Sequence, residues 1–202
     1  MTGIGEEPGG ATPLDPDELQ GLKFAHITTR GELNELEQAN ITQGLRWLGQ
    51  RRTGTDILDA AFVRTLHRRL FGDVWQWAGA FRQTGKNLGV DPARIGEQLR
   101  ILLDDARYWT KHETYPPLEA AARFHHRLVQ IHCFANGNGR HARIMTDEFL
   151  RHCHDHKPID WAAGYDLMKD NRRRDQYIAA LKAADGNEYG PLLTFAGAAS
   201  QT

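Results

Sequence analysis

Apolar residues recur at helical spacing through most of this chain. Leu33, Leu36, Ile41, Leu45 and Leu48 mark one stripe from Thr29 to about Gln50. Thr28 or Thr29 can cap its start, and Glu32 places a carboxylate in the first turn, where the helix dipole favours it. "RRTGTD" ends that helix. "DAAFVRTLHRRLF" predicts a second, with Phe62, Val63, Leu66 and Leu70 on one face and Gly72 after its end. The pattern then changes. "VWQWAGAFRQTGKNLGV" alternates bulky and small residues and carries three glycines, which predicts extended chain and a short hairpin turning at "TGKN". Pro92 restarts a helix whose stripe is Ile95, Leu99, Leu102, Leu103, Ala106 and Trp109. "YPP" breaks it, and Pro117 opens the next, with Ala121, Phe124, Leu128 and Ile131 on one face and an end near His132. Another helix begins within "NGNGR" and carries Ile144, Met145, Phe149 and Leu150. Further helices are predicted from about Ile159, about Asp170 and about Glu188. The sum is an all-α domain with one small β-hairpin, rather than a strand-alternating chain.

The first residues, "MTGIGEEPGGATPLDP", contain little to bury and predict a mobile tail ending near Pro16. The expected organisation is a flexible N-terminal segment over 1–28, a folded domain over 29–197 and a short tail over 198–202. At 202 residues the chain can bury a substantial core. Lys+Arg 25 against Asp+Glu 26 leaves no basic excess, which argues against a protein that works by direct nucleic-acid binding. Cys133 and Cys153 do not make a disulfide framework, so a cytoplasmic location is expected. No apolar run is long enough for a membrane span, and the N-terminus lacks a signal-peptide pattern.

One stretch carries chemistry: "IHCFANGNGRHAR", Ile131 to Arg143. Gly137 and Gly139 let backbone approach a ligand closely. Their N–H groups and that of Asn138 stand at a predicted helix start, where amides and dipole together attract anions. Arg140 and Arg143 lie three apart and can lean over the same turn, each with a fork that matches phosphate oxygens. His132, at the end of the preceding helix, can take a proton from an incoming hydroxyl. Phe134 is the apolar anchor of the turn. A plain helix–helix turn would need only the glycines.

These residues closely resemble the Fic (Fic/Doc, or Fido) signature, His-Pro-Phe-x-(Asp/Glu)-Gly-Asn-Gly-Arg-x-x-Arg. "WAGAFRQTGKNLGV" resembles that family's flap, and "NRRRDQYIAAL" its Asn/Arg-rich helix. The likeness covers roughly Thr29 to Ala196, and the whole chain is especially similar to bacterial Fic proteins called mobile mystery protein B. The resemblance implies an α-helical Fic core with a β-hairpin flap. It implies transfer of a nucleotide, most commonly AMP from ATP, to a Ser, Thr or Tyr hydroxyl of a protein. His132 would be the base. Gly137, Asn138, Gly139, Arg140 and Arg143 would hold the phosphates, and Asn171 and Tyr177 would stand near the nucleotide base. Gly85, Lys86, Asn87 and Leu88 of the flap would dock the target. A second small protein would act as an inhibitor or antitoxin-like partner.

Two departures from the signature matter. Cys133 replaces Pro. Asn136 replaces the acidic residue that binds Mg²⁺, keeping an oxygen for a hard cation without the charge. Weak Mg²⁺ binding, or metal held mainly by the triphosphate, is therefore expected. An alternative reading is a catalytically weak nucleotide-binding regulator acting with a partner; another is phosphate transfer, against which the glycine pair argues. The family's inhibitory Glu helix has its nearest match in "LNELEQAN", with Glu37 as the blocking residue pairing with the last Arg, although Leu33 and Gln38 miss the flanking pattern. "RHCHDHK" offers zinc-type ligands but follows a helix end, where His suits the dipole and carbonyls. Of His125 and His126, one buried and one exposed are expected.

Overall fold

The computed structural model describes residues 15–51, 54–167, 169 and 171–197. It contains α1 (Pro16–Leu19), α2 (Arg30–Gly49), α3 (Ala60–Phe71), a 3-10 turn (Pro92–Arg94), α4 (Ile95–His112), α5 (Pro117–Ile131), α6 (Asn138–His154), α7 (Arg172–Asp185) and α8 (Gly190–Phe195). The predicted helix starts have the expected causes. At α2, the Thr29 side chain accepts from Glu32 N–H while Glu32 reaches back to the Thr29 backbone. Asp59 caps α3, and Pro117 occupies the first turn of α5. α4 ends at Glu113 and α5 at His132, both in the left-handed conformation.

Packing follows the apolar stripes, except that Leu45 of the α2 stripe is exposed. α2 lies against α3, α5 against α6, α4 against α5, and α7 against α8. Phe124 of α5 stacks on Phe149 of α6 with ring centroids 4.8 Å apart, and both are fully buried. The α5–α6 pair is therefore the rigid floor of the domain. The loop between those helices, residues 132–137, inherits its position from them.

Several expectations change. No strand is assigned among the described residues, and the flap over 81–90 is not a ladder. The guanidinium of Arg82 spans it instead, donating to Thr84 O at 2.8 Å and to Val90 O. A buried fork can satisfy carbonyls on both arms, so paired strands are not required. No helix starts near Ile159. Asp147 takes the Ile159 N–H at 3.1 Å and the Trp161 indole N–H at 3.0 Å, and those two side chains enter the core from an irregular segment. The last two helices begin at Arg172 and Gly190, close to the expected positions. His125 and His126 are both buried, not one of each.

The N-terminal segment expected to be flexible over 1–28 is folded from residue 15 onward. Asp15 pairs with Lys86 of the flap at 2.8 Å, and Glu18 pairs with the same ammonium. The Trp77 indole donates to Glu18 O at 2.9 Å, and Lys23 N–H donates to Val74 O. Residues 1–14 and the tail over 198–202 lie outside the described residues.

Candidate active site

The site is built where α5 stops and α6 starts. His132 is the C-cap of α5, at φ 54° and ψ 63°. In that left-handed position His132 is only 6% exposed. Among the described residues neither ring nitrogen makes a hydrogen bond of normal geometry, although the Val129 backbone interacts with the ring and favours its protonated form. Burial, and then the charges of Arg82 and Lys86, push its pKa down to about 4, so the imidazole is neutral at pH 7. A neutral imidazole can accept a proton.

Beyond it the loop is locked by one asparagine. Asn138 accepts from Phe134 N–H at 2.9 Å and donates to Phe134 O at 2.7 Å. Its side chain is thus spent on shaping the turn, and only its backbone N–H is left for a ligand. Gly137 takes φ +77°, and a Cβ there would stand 2.7 Å from the Phe71 ring. Only glycine fits both demands. α6 then begins, so the amides of its first turn face outward with the positive end of the dipole behind them.

Two arginines flank those amides differently. Arg140 lies over the Phe71 ring and pairs with Glu37 of α2 at 2.5 Å; it also reaches Asn136 Oδ1 at 3.3 Å. Glu37 is buried and takes a second hydrogen bond, at 2.7 Å, from the Trp75 indole. Burial raises its pKa, but the Arg140 charge and hydrogen bond, the Trp75 bond and the Arg30 charge outweigh that, and the carboxyl sits below its ordinary value. The sequence reading placed Glu37 against the last Arg of the motif. The structure pairs it with Arg140 instead, while Arg143 leans over Tyr177, 5.6 Å from the ring centroid.

The residues proposed to flank a nucleotide base have structural tasks. Tyr177 is 6% exposed and bonds His125 Nε2 through its hydroxyl at 2.9 Å. Asn171 is the N-cap of α7, accepting from Arg174 N–H at 3.0 Å and donating to Asp166 O and Lys169 O. Of the flap residues, Gly85, Asn87 and Leu88 are exposed, whereas Lys86 is tied to Asp15 and Glu18. Cys133 is buried and its thiol is pushed up to about 12, which makes it a neutral filler rather than a nucleophile. His152 to His156 lie at the opposite end of α6, and among the described residues no three metal-ligating side chains converge.

Two residues escaped the sequence reading. His67 is fully buried in α3 and stacks on Phe134 at 3.7 Å. Its Nδ1 accepts from Gly79 N–H at 3.0 Å, so Nε2 carries the proton and donates to Asn136 O at 3.1 Å. It therefore pins the loop to the "WAG" turn. Arg82 is 4% exposed and donates through Nε to His132 O at 2.7 Å. The available signal was a histidine on the apolar stripe of α3 and an arginine inside the bulky–small run.

Residues 57–150 match the family model described as Fic/DOC family. A protein adenylyltransferase Fic from Drosophila melanogaster is 30% identical over 138 residues, which is 66% of this chain and 26% of that protein. The chain thus spans about a quarter of the length of the curated relatives it matches. Among solved structures, Fic-1 (residues 134–508) of Caenorhabditis elegans gives a TM-score of 0.59 at 26% identity, covering 78% of this chain and 45% of that one. The N-terminal Fic domain of a Bartonella quintana effector, with bound ADP, gives 0.66 at 20% identity and covers 85% and 86%. The loop from His132 to Arg143, the helical frame that carries it and these matches agree: residues 57–150, which hold the loop, match the Fic/DOC family.

Proposed function

We propose that this chain transfers AMP from ATP to the hydroxyl of a Ser, Thr or Tyr side chain on a protein target. One observation carries the reading. His132 is buried with neither ring nitrogen in a hydrogen bond of normal geometry among the described residues, beside a helix N-terminus suited to phosphate. An unpaired buried polar group costs about 1–3 kcal/mol, a cost that is understandable if the group is kept for a substrate. The hydroxyl oxygen attacks the α-phosphorus, the bond to the pyrophosphate oxygen breaks, and the hydroxyl proton goes to His132. The amides of Asn138 and Gly139 hold phosphate oxygens, that of Gly137 joins them once Asn136 Oδ1 releases it, and Arg140 and Arg143 neutralise the leaving pyrophosphate. The work is positioning and charge stabilisation. The relatives named adenylyltransferases and the ADP found in the Bartonella quintana domain support it.

Three parts of this reading are finer. Glu37 holds Arg140 away from any phosphate, which supports an inhibitory role and makes its release a condition of activity. The surroundings of Asn136 do not fit a protein-held Mg²⁺: its Oδ1 accepts from Gly137 N–H at 2.6 Å and from Arg140, both hydrogen-bond donors. We therefore place the metal on the triphosphate. The flap, with Leu88 49% exposed, is the surface offered to the target. An inhibitor partner, the kinship with mobile mystery protein B and a cytoplasmic setting rest on the sequence resemblance and the composition. No helix among the described residues is long and apolar enough to cross a membrane.

The test is incubation of the purified chain with labelled ATP, using a lysate and the chain itself as targets. Transfer that falls roughly 10²–10⁴-fold in His132→Ala is expected. Absence of transfer from all four nucleotides, with Glu37 intact or replaced, rejects the reading. Intact mass of the product distinguishes AMP from other groups.

A further inference from the structure

His132 stands in a conformation that L-residues adopt reluctantly, so something must hold it. α5 supplies one hold, from His132 N–H to Leu128 O at 3.3 Å. The others come from the flap. Arg82 N–H donates to Cys133 O at 3.0 Å, Arg82 Nε donates to His132 O at 2.7 Å, and Val90 N–H donates to Ile131 O at 3.4 Å. Three successive carbonyls, 131 to 133, are thus taken by two flap residues. The remaining guanidinium nitrogens donate to Thr84 O and Val90 O, one on each side of the flap turn. Gly89 closes the arrangement at φ +106°. A Cβ there would stand 2.5 Å from Arg82 Nη2 and 2.7 Å from His132 Cβ.

We propose that Arg82 is the positioning residue for His132, its buried fork joining the base to both arms of the flap so that the base and the target-docking surface move as one body. The inference rests on the proposed function for its catalytic meaning, but its geometry stands on the bonds above. The shape of the fork is what the role needs. Lysine has the charge but one nitrogen, and cannot reach His132 O, Thr84 O and Val90 O together. The Arg82 charge also helps to keep the imidazole neutral. Charge and shape are therefore separable by choice of substitution.

The experiment compares wild type with Arg82→Lys and Arg82→Gln, after circular dichroism shows which variants fold. Three quantities are read: nucleotide affinity by calorimetry, transfer kcat and KM, and the NMR titration of the His132 ring. Arg82→Lys should keep nucleotide affinity, keep the low titration of His132 and lower kcat, by roughly 100-fold for an ångström of misplacement. Arg82→Gln should also shift the His132 titration upward. A folded Arg82→Lys with wild-type kcat and unmoved His132 resonances overturns the proposal, as does a loss confined to nucleotide affinity. If wild type transfers nothing, the functional reading fails, yet the His132 resonances still decide whether Arg82 sets its position. If neither variant folds, the native chain decides: the Arg82 Nε–H should exchange slowly with water and show contacts to the His132 backbone. Exchange at the rate of a free guanidinium refutes the link.

Discussion

Glu37 and Arg140, 103 residues apart in the chain, meet at 2.5 Å in the interior between α2 and α6. The pair occupies a guanidinium that the proposed chemistry needs. Breaking it also costs stability, because removing one partner of a buried pair leaves the other uncompensated. On the proposed reading, restraint of the site and the cost of its release share one bond.

Glu37→Gln separates those roles. The charge is lost while the size and one oxygen for the Trp75 indole remain. Arg140 becomes free to meet phosphate, so nucleotide affinity and transfer should both rise. Stability should fall by up to about 3 kcal/mol, the low end for a broken buried pair, because Arg140 keeps 13% of its side chain exposed. Calorimetry and denaturant melts check the two halves. Equal nucleotide affinity in variant and wild type would show that Glu37 does not restrain the site.

Asn136→Asp places a carboxylate where the family usually has one. At that position it would face Arg140, the Gly137 N–H and the positive end of α6, all favourable to negative charge. Folding stability should hold or rise slightly. At millimolar Mg²⁺ nucleotide binding should tighten and transfer should increase, since ionised oxygens make the stronger hard-metal ligands. With chelator the gain should vanish or reverse, because the new carboxylate then repels phosphate. A titration that is blind to Mg²⁺ would place Asn136 outside any metal position.

Acid should unfold this protein through its histidines. Burial pushes His125 down to about 3 and His132 and His141 to about 4, and His67 also lies well below 6.5. Their folded values are lower than their unfolded ones, so the unfolded chain binds more protons between about pH 4 and 6.5. The stability they contribute is whole above pH 6.5 and is lost as pH falls from there. Each such proton steepens the loss by up to about 1.4 kcal/mol per pH unit. Asp147, raised by burial to about 6, works in the opposite direction between its ordinary value and 6. Denaturant midpoints measured from pH 7.5 to 4.5 should fall with a slope of more than one proton. A flat profile would show that these rings gain partners when protonated.

Much of this was readable in the chain itself. The helices from Thr29 to Ile131 declare themselves because their stripes face a single core and their ends carry ordinary caps. The His132–Arg143 loop declares itself because anion binding needs glycines and arginines in a fixed order. Hidden from sequence were the links between segments distant in the chain. Nothing in the sequence sets Arg82 apart until the fold brings carbonyls 84, 90 and 132 around it. Nor does the sequence show that Asn171 also caps α7 and that Tyr177 also bonds His125. Glu37 was legible as a candidate but not its partner, since Arg140 and Arg143 differ by less than one helical turn. The stretch after Ile159 is no helix because Ala163 and Gly164 take positive φ, while the Asp147 carboxylate of α6 anchors the Ile159 N–H and the Trp161 indole.

The contact between Gly137 N–H and Asn136 Oδ1, at 2.6 Å, gives the loop a clock. An asparagine side chain folded onto the amide of a following glycine is arranged to deamidate. The Gly137 nitrogen, losing its proton to water, bonds to Asn136 Cγ, ammonia leaves, and water opens the resulting succinimide to aspartate or isoaspartate. Arg140, 3.3 Å from the amide oxygen, polarises the carbonyl being attacked. Asn138 also precedes a glycine, but both ends of its side chain are held by Phe134, and it lies within the first turn of α6. Peptide mass analysis of stored protein should therefore find acid at position 136 well before 138, and equal rates at the two would contradict this. An ageing sample would drift from asparagine toward a mixture of acidic forms at position 136, where added charge is expected to change the response to Mg²⁺. Freshly made and long-stored protein should then differ in metal dependence with no change in the gene.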